Sequence, residues 1–402
     1  MPGQPISGWN EFLDEMRDLP DTVFALLPDA MRDDPQVRQE VGRRMLSALA
    51  FSTLSSIGGD GDWPIFLPQS NVIMDIGQPN ADSSYRVAQI EPGGSYRIRG
   101  NRGNLRLCIL AQLDPYPGEP GAENLEAPGP ARSHLDLNSL DLGADGVFDV
   151  LVSPTRPEGY EGDWWKLEPT VNKLFLRMVM GDFARERDGN ITIDRVDRPL
   201  GGRPRRSAED LEQRLRRLSK AVWWYSVVEI GHVEMLRRNG FLNKLTEYDT
   251  SKMVGLAGQF YFEGAYEITD DEALIVEARI PDDCDYWSVI MTNEIFETTD
   301  WYNNHSALND TQAQVDSDGI VRFVISAKDP GVPNWLDTAG YEKGEFQGRL
   351  YNSSSNVLPT MKKVPFAQVR QHLPDDTPVI TAEERDQILR ERRFLLQSRP
   401  MW

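Results

Sequence analysis

Two stretches of the chain, one in each half, follow the same pattern and align without a gap. They are SHLDLNSLDLGADGVFDVLVSPTRP (Ser133–Pro157) and SALNDTQAQVDSDGIVRFVISAKDP (Ser306–Pro330). Six of the 25 positions are identical, and in both copies an Asp-Gly pair precedes a segment with apolar residues at every second position. Such alternation is typical of a strand with one buried face. The repeat therefore predicts two β-sandwich domains that are built alike.

The residues on either side of this repeat indicate the remaining elements. Ser95–Arg99 continues the alternating pattern of a strand. In contrast, Leu211, Leu215 and Leu218 recur at the spacing of a helix, and we predict one helix over residues 207–240. The predicted fold is α+β, mainly β, with two jelly-roll-like antiparallel β-sandwich domains and an accompanying helical segment. Its predicted parts are an N-terminal helical segment (1–65), a first β-sandwich (66–200) with a long loop at 114–130, a helical segment (201–250), a C-terminal β-sandwich (251–370) and a C-terminal helical tail (371–402).

The composition is that of a globular protein with a large negative charge. The 402 residues include 63 Asp and Glu against 43 Lys and Arg, which gives a net charge of −20. This charge argues against nucleic acid or an anionic membrane as the main partner. Two cysteines cannot form a disulfide framework, and no apolar run is long enough for a transmembrane helix. We expect a cytoplasmic protein with a small-molecule ligand, no nucleic acid and no membrane; a homo-oligomer is left open.

Several short motifs resemble those of a known bacterial family. They are Gln78–Tyr85 and Ser95–Gly100 in the first half, and Asp316–Gly319, Asp329–Gly331, Asn334–Leu336, Gly344 and Arg349 in the second. Together they are similar to the family known as domain of unknown function 1214, which is often paired with domain of unknown function 1254. The resemblance extends over roughly residues 70–370 and is most specific from Asp318 to Arg349. It implies a jelly-roll β-sandwich with a helical segment, and it implies no activity.

The familiar signatures of cofactor binding and covalent catalysis are missing from the sequence. There is no Gly-x-Gly-x-x-Gly after a strand, no phosphate loop, no Gly-x-Ser-x-Gly, no Cys-x-x-Cys and no His-Glu-x-x-His. Four scattered histidines and two cysteines offer no ligand cluster. We therefore predict that the protein uses neither a metal nor an organic cofactor.

Glu229 and His232 continue the apolar stripe of the predicted helix, at positions where apolar residues would otherwise follow. Because their neighbours are apolar, we expect this turn to be buried, and a buried carboxylate is costly unless it is paired or neutralised. In a structural interpretation, His232 or a neighbouring loop satisfies Glu229. In a functional interpretation, Glu229 is a general acid or base with a raised pKa, and His232 orients or shares its proton. We predict the functional role, with Asp82 as a third catalytic residue.

Further polar and aromatic residues are candidates for the walls of a substrate site. Arg349 offers donors to an anionic or carbonyl oxygen, and the loop Trp301–His305 offers rings that can stack on a sugar or another ring. Each group also has a structural interpretation, as a packed loop or as a turn whose Asn and Asp bond their own backbone. The predicted substrate-binding residues are Tyr85, Trp301, Tyr302, His305, Asn334, Trp335 and Arg349.

Two functions of different classes fit these residues. The first is a cofactor-free enzyme, a hydrolase or a lyase, that acts by acid/base chemistry on a small, partly apolar, hydroxylated metabolite. The alternative is a non-catalytic jelly-roll module for binding or assembly, for example of carbohydrate. A carboxyl group together with an imidazole in the largest pocket would favour the enzyme, whereas an exposed aromatic strip would favour the binding module. We predict the enzyme.

Overall fold

Strands with alternately buried side chains make up both halves of the chain, and helices accompany them. A computed structural model describes residues 6–117, 119, 122, 129–199, 201–249, 255–256 and 258–400. Residues 118, 120–121 and 123–128 of the predicted long loop lie outside the described residues. The described chain confirms the predicted class, a mainly β fold with two sandwich-like pairs of sheets and a few helices.

The first sandwich consists of a five-stranded and a four-stranded sheet. Its strands are β1 (Leu67–Pro68), β2 (Ser83–Gln89), β3 (Tyr96–Asn101), β4 (Leu107–Leu113), β5 (Ser133–Asp136), β6 (Val147–Ser153), β7 (Asp163–Lys166), β8 (Lys173–Val179) and β9 (Asn190–Arg195). The strand orders are β1-β2-β8-β4-β5 and β7-β6-β3-β9. Neighbouring strands are antiparallel except β6 and β7, which are parallel.

The second sandwich repeats this arrangement. Its strands are β10 (Thr246–Tyr248), β11 (Gln259–Glu267), β12 (Glu272–Ala278), β13 (Tyr286–Thr292), β14 (Ala307–Asn309), β15 (Val321–Ser326), β16 (Trp335–Asp337), β17 (Lys343–Tyr351) and β18 (Thr360–Pro365). The strand orders are β10-β11-β17-β13-β14 and β16-β15-β12-β18, again with one parallel pair, β15 and β16. Strand by strand, these orders are the same as those of the first sandwich.

The two copies of the sequence repeat occupy corresponding places in the two sandwiches. Asp145-Gly146 stands directly before β6, and Asp318-Gly319 stands before the corresponding strand β15. Gly146 and Gly319 have φ angles of 75° and 77°, a left-handed conformation that favours glycine. The alternating apolar residues that follow enter the cores of their sandwiches: Phe148, Val150 and Val152 in the first, and Val321, Phe323 and Ile325 in the second.

The two five-stranded sheets, called the inner sheets below, face each other in the middle of the molecule. Along β8, the even-numbered side chains enter the core of the first sandwich, while Val179 packs against Tyr286 and Tyr351 of the other inner sheet. Along β17, Phe346 and Leu350 enter the core of the second sandwich in the same way. Because side chains alternate along a strand, the odd-numbered residues of β8 and β17 face the gap between the inner sheets.

Six α-helices accompany the two sandwiches in the described part of the chain. They are α1 (Trp9–Leu26), α2 (Asp29–Arg32), α3 (Pro35–Gly58), α4 (Ala208–Val227), α5 (His232–Arg238) and α6 (Ala382–Gln397). One apolar cluster packs the first four helices against the inner sheet of the first sandwich, and it includes Val23 of α1, Val41 of α3, Val222 of α4 and Phe175 of β8. In contrast, α5 packs against β11 of the second sandwich. Among the residues described, none of the helices combines the length and the apolar character needed to span a bilayer.

The prediction of one helix over residues 207–240 is wrong. The predicted start is confirmed, because the side chain of Ser207 accepts a hydrogen bond from the backbone N–H of Asp210 at 3.1 Å. However, α4 ends at Val227 and α5 begins at His232, and Glu229 between them has a left-handed φ of 60°. The break has a tertiary partner, since Arg44 of α3 donates a hydrogen bond to the carbonyl oxygen of Val228.

Candidate functional site

A cavity of about 530 Å³ lies where the two inner sheets meet α4 and the turn that follows it. This volume is within the range of about 300–1,000 Å³ that is usual for small-molecule sites. Most of the wall is apolar, and aromatic rings come from both sandwiches and from α4. The lining residues are Gln69, Ser70, Ile76, Gly77, Gln78, Pro79, Tyr85, Tyr116, Phe175, Arg177, Trp224, Tyr225, Val227, Val228, Glu229, Tyr248, Gly255, Tyr261, Phe296, Gln347 and Arg349.

The two inner sheets contribute matching tyrosine–arginine pairs to this cavity. Tyr85 of β2 lies opposite Arg177 of β8, and Tyr261 of β11 lies opposite Arg349 of β17. Since β2 and β8 correspond to β11 and β17, the pairs occupy equivalent strands of the two sandwiches. Arg349 donates a hydrogen bond to Oε1 of Gln347 at 2.8 Å. Its Nε is buried and has no hydrogen-bond partner among the described residues.

The arginine pair makes one part of the cavity cationic. Burial lowers the pKa of Arg177, the neighbouring tyrosines oppose this, and the charge of Arg349 lowers the pKa further. The Arg177 guanidinium lies 4.4 Å from the centre of the Phe175 ring, and that ring stacks on Tyr85 with 5.6 Å between centres and 11° between planes. A flat aromatic wall therefore adjoins the two guanidinium groups.

Glu229 brings a carboxyl group to the cavity from the turn between α4 and α5. Its Oε1 accepts a long hydrogen bond of 3.4 Å from the hydroxyl of Tyr248, and its carbonyl oxygen accepts one of 2.9 Å from the backbone N–H of His232. Burial raises the pKa of the Glu229 carboxyl, while the charges of His232 and Arg44 oppose this effect in part. A carboxyl group in such surroundings can hold its proton at a pH where an exposed one has lost it.

A second acidic group of residues lies directly behind the cavity wall. Nε2 of His232 is 2.9 Å from Oε2 of Glu263, and one ligand-type atom from each of His232, Glu263 and Glu345 lies within 4.8 Å of the others. One imidazole and two carboxyl groups could hold a divalent cation. Alternatively, Glu345 keeps its proton, because burial and the facing Glu263 raise the pKa of Glu345 well above its usual value. The His232 ring contacts the cavity residues Tyr248 and Phe296, with 5.1 and 4.5 Å between ring centres.

The backbone around the cavity is strained at three points. Gln78, Glu229 and Phe296 have φ angles of 52°, 60° and 64°, and all three line the cavity. They are three of the seven non-glycine residues with positive φ in the described chain. The left-handed region costs an L-residue about 1–2 kcal/mol, and strain of this kind tends to cluster at functional sites. The strain thus supports this cavity as the functional site.

Three residues of the predicted site line the cavity, and a fourth lies behind its wall. Glu229, Tyr85 and Arg349 are lining residues, although they come from three different parts of the sequence. The imidazole of His232 is separated from the cavity by Tyr248 and Phe296, and it bonds Glu263. This cavity therefore contains a carboxyl group, with an imidazole one layer away.

The structure does not bring Asp82, His305 and Trp335 to this cavity. Asp82 is buried between the sandwiches, where its Oδ2 accepts a hydrogen bond of 2.6 Å from the hydroxyl of Tyr286 and burial raises its pKa to about 6. His305 stacks on Trp335 with 7° between planes and bonds the Trp335 carbonyl oxygen at 2.5 Å. Burial lowers the pKa of His305 to about 3, so this imidazole is neutral. These contacts are structural.

Trp301, Tyr302 and Asn334 also lie away from the cavity, because their side chains fill packing or backbone-bonding roles. Trp301 is buried in the core around the first sandwich, and Tyr302 packs against the same core. The side-chain amide of Asn334 accepts a hydrogen bond from the backbone N–H of Gln314 at 2.7 Å and donates one to the backbone carbonyl oxygen of Gln314 at 2.6 Å. We therefore correct the candidate site to the cavity, without these three residues and without Asp82, His305 and Trp335.

Sequence reasoning missed Arg177, Tyr261, Tyr248 and Gln347. Arg177 and Tyr261 are the counterparts of Arg349 and Tyr85, and they become visible only when the two sandwiches are aligned over all their strands. The repeat recognised in the sequence ends before β8 and therefore could not reveal the second arginine. No local signal marks Tyr248, which precedes residues outside the described chain.

Comparisons with known proteins agree with the family resemblance found in the sequence. Residues 267–355 match the model of a family described as "Protein of unknown function (DUF1214)". The crystal structure of an uncharacterised protein from Burkholderia cenocepacia is 25% identical, has a TM-score of 0.81 and aligns over 90% of this chain and 98% of that chain. The structure of the VPA0106 protein from Vibrio parahaemolyticus is 12% identical, with a TM-score of 0.45 over 81% of this chain and 99% of that chain. No curated protein matches the chain.

Proposed function

We propose that this chain, whose residues 267–355 match the model of the DUF1214 family, is an enzyme that works by acid/base chemistry without a cofactor. Its substrate is a small, partly apolar, hydroxylated metabolite that enters the cavity between the inner sheets. The reaction is a hydrolysis or an elimination, and Glu229 is its general acid or base. His232 is a positioning residue, because it acts on Glu229 from behind the cavity wall.

The observation that carries this proposal is the position of Glu229. Its carboxyl group is buried at an aromatic cavity, and its strained backbone lies in the break between α4 and α5. A purely structural role is served better by an apolar residue in an unbroken helix, because neither burial of a carboxyl group nor left-handed backbone would then be needed. The strain and the burial are thus both explained when the carboxyl group moves a proton.

The chemistry needs one proton donor or acceptor beside the bond that reacts. In a hydrolysis, the Glu229 carboxylate takes a proton from the attacking water, and the resulting carboxylic acid returns it to the leaving oxygen. In an elimination, the Glu229 carboxylate takes the proton from the α-carbon of a β-hydroxy compound and returns it to the departing hydroxyl oxygen, which leaves as water while the carbon–carbon double bond forms. General catalysis of this kind contributes about 10²–10⁴-fold in rate.

The test compares Glu229→Gln with the wild type in turnover of two compound sets. Small aryl esters and lactones report hydrolysis, and 3-hydroxy acids report elimination, with products followed by proton NMR. We expect Glu229→Gln to lose about 10²–10⁴-fold in rate and to keep its melting temperature, because glutamine resembles the neutral carboxyl group. Glu209→Gln is the matched control, since Glu209 is an exposed acid at the start of α4.

The alternative function, a binding or assembly module, has a different outcome in the same experiment. A wild-type protein that binds members of the set without converting any of them would support the module. A folded Glu229→Gln protein with full turnover would remove Glu229 from the mechanism. The loop at Trp301, which suggested carbohydrate binding, gives the module no exposed aromatic strip, because Trp301 is buried and Tyr302 is partly buried.

Two further proposals concern the origin and the location of the protein. The common strand order and the matching Tyr–Arg pairs support an internal duplication as the origin of the two sandwiches. The free thiols of Cys108 and Cys284 support a reducing compartment, the cytoplasm. Fractionation of cells that express the tagged chain at its native level tests the location.

A further inference from the structure

The matching arginines are the feature of the cavity that the acid/base role of Glu229 leaves unexplained. Arg177 and Arg349 both line the cavity, and the charge of Arg349 is felt by Arg177. Two guanidinium groups that share a buried space repel each other, and an anion between them removes this repulsion. Each group can bind a carboxylate or phosphate through two parallel N–H donors.

Arg349 has a donor available for such an anion. One of its terminal nitrogens donates to Gln347, but its buried Nε has no hydrogen-bond partner among the described residues. A buried donor without a partner is unfavourable, so it marks a place where a ligand atom is expected. Gln347 in turn donates to Oε1 of Glu345 at 3.4 Å, which fixes the amide and leaves Arg349 oriented.

The walls beside the arginines are suited to a flat ring. Tyr85 and Phe175 stack in nearly parallel planes at 5.6 Å, and Tyr261 lies 5.5 Å from the Arg349 guanidinium. Glu229 reaches the same cavity from the helix side. An elongated molecule can therefore contact the cationic part, the aromatic wall and the carboxyl group at once.

We infer that the substrate of this site is a small aromatic compound with an anionic oxygen group, held between Arg177 and Arg349 while its other end reaches Glu229. The position of the reacting end rests on the proposed function, whereas the anion site rests on the two arginines alone. The duplicated Tyr–Arg pair explains the site's origin, because each sandwich supplies one half of it.

Calorimetric titration of the full chain tests this inference with phenylacetate, 3-phenylpropionate and phenyl phosphate. Phenylacetamide, which has nearly the same shape as phenylacetate but no charge, is the matched ligand. We expect at least one anion to bind with a Kd below about 1 mM, and the amide to bind at least about tenfold more weakly. Comparing the two carboxylates with the phosphate ester shows whether the site prefers a carboxylate or a phosphate group.

The variants identify the arginines as the cause. We expect Arg349→Gln to weaken anion binding at least about tenfold, and Arg349→Lys, which keeps the charge but not the two parallel donors, to lie between it and the wild type. Arg99→Gln is the control, because it removes an exposed ion pair with Asp194 in the four-stranded sheet of the first sandwich. We expect this variant to bind the anions like the wild type. Arg177→Gln removes the arginine of the first sandwich, and we expect it to weaken anion binding in the same way as Arg349→Gln.

Three results would overturn the inference: no binding of any anion at about 10 mM, equal binding of phenylacetamide and phenylacetate, or unchanged binding by Arg349→Gln. Arg349→Gln is compared only after its circular dichroism matches that of the wild type, and Arg349→Lys supplies the comparison if it does not fold. Anion binding by Glu229→Gln separates the two proposals. If Glu229→Gln binds the anion and keeps full turnover, the proposed function fails and the anion site stands.

Discussion

Glu345 is a buried acid in the group formed by His232, Glu263 and Glu345 behind the cavity wall. It is fully buried, its Oε1 accepts from Gln347, and it lies close to Glu263. Burial and Glu263 raise its pKa well above the usual value, so the folded protein holds this proton more tightly than the unfolded chain does. Stability therefore falls as the pH rises from the usual carboxyl range through the raised pKa.

We expect Glu345→Gln to fold with nearly wild-type stability at about pH 5 and to gain on the wild type as the pH rises to about 8. The amide stands in for the protonated carboxyl group and has no proton to lose. Melting temperatures of both proteins across this range measure the effect. A difference that stays constant with pH would show that Glu345 is already ionised at low pH.

The same variant tests whether His232, Glu263 and Glu345 bind a metal. We expect elemental analysis of the purified protein, with calcium included, to find much less than one equivalent per chain. Because an amide is a weaker ligand than a carboxylate, a metal site would instead make Glu345→Gln lose both its metal and several degrees of melting temperature. About one equivalent of metal in the wild type would contradict the prediction of a metal-free protein.

The break between α4 and α5 shows where an element departs from its sequence pattern. The apolar stripe continues through Glu229 and His232, and the one local signal between them, Gly231, is tolerated inside a helical pattern and does not by itself end a helix. The break is supported by Arg44 of α3, which bonds the carbonyl oxygens of Val228 and Ile295. A residue so distant in sequence leaves no trace in the helical period, which is why the helix could be predicted and its interruption could not.

Because the backbone at residue 229 is left-handed, glycine should be more stable than alanine there, which is the reverse of the order inside a helix. We expect Glu229→Gly to be more stable than Glu229→Ala by about 1 kcal/mol, because glycine adopts this φ without strain. At Glu234, inside α5, we expect Glu234→Ala to be the more stable of the pair by about the same amount. Urea denaturation of the four variants measures both differences. An advantage of alanine at residue 229 would mean that the backbone there is helical.

At the scale of the whole molecule, the sequence repeat was sufficient to predict two similar sandwiches but not the site between them. Val150 and Phe323 belong to strands in which every second side chain is apolar and enters the core. This alternation is the same however the two domains are arranged. The cavity depends instead on which faces of the inner sheets meet. Arg177 and Arg349 come together through strand register and domain packing, neither of which a local pattern records.

The C-terminal segment connects the two sandwiches through buried arginines. Arg385 of α6 pairs with Asp329 of the second sandwich, while Arg399, just after α6, pairs with Asp188 of the first. Both oxygens of Asp188 accept from Arg399, at 2.9 and 2.6 Å, and the side chains are only 8% and 2% exposed. Arg399 also donates to the carbonyl oxygen of Asp82 at 2.7 Å. The tail is thus part of the interface between the domains.

We expect Arg399→Ala to reduce the free energy of unfolding by about 3–5 kcal/mol, because it leaves Asp188 buried without its partner. Arg390→Ala, in the preceding helix α6, is the control: its ion pair with Asp386 is 78% and 61% exposed, and its loss is expected to cost less than about 1 kcal/mol. Asp188→Asn in the Arg399→Ala background should recover part of the loss, since it removes the uncompensated charge. Chemical denaturation of the four proteins measures these differences. If Arg399→Ala is no less stable than Arg390→Ala, the tail does not fasten the first sandwich, and other contacts must hold the two sandwiches together.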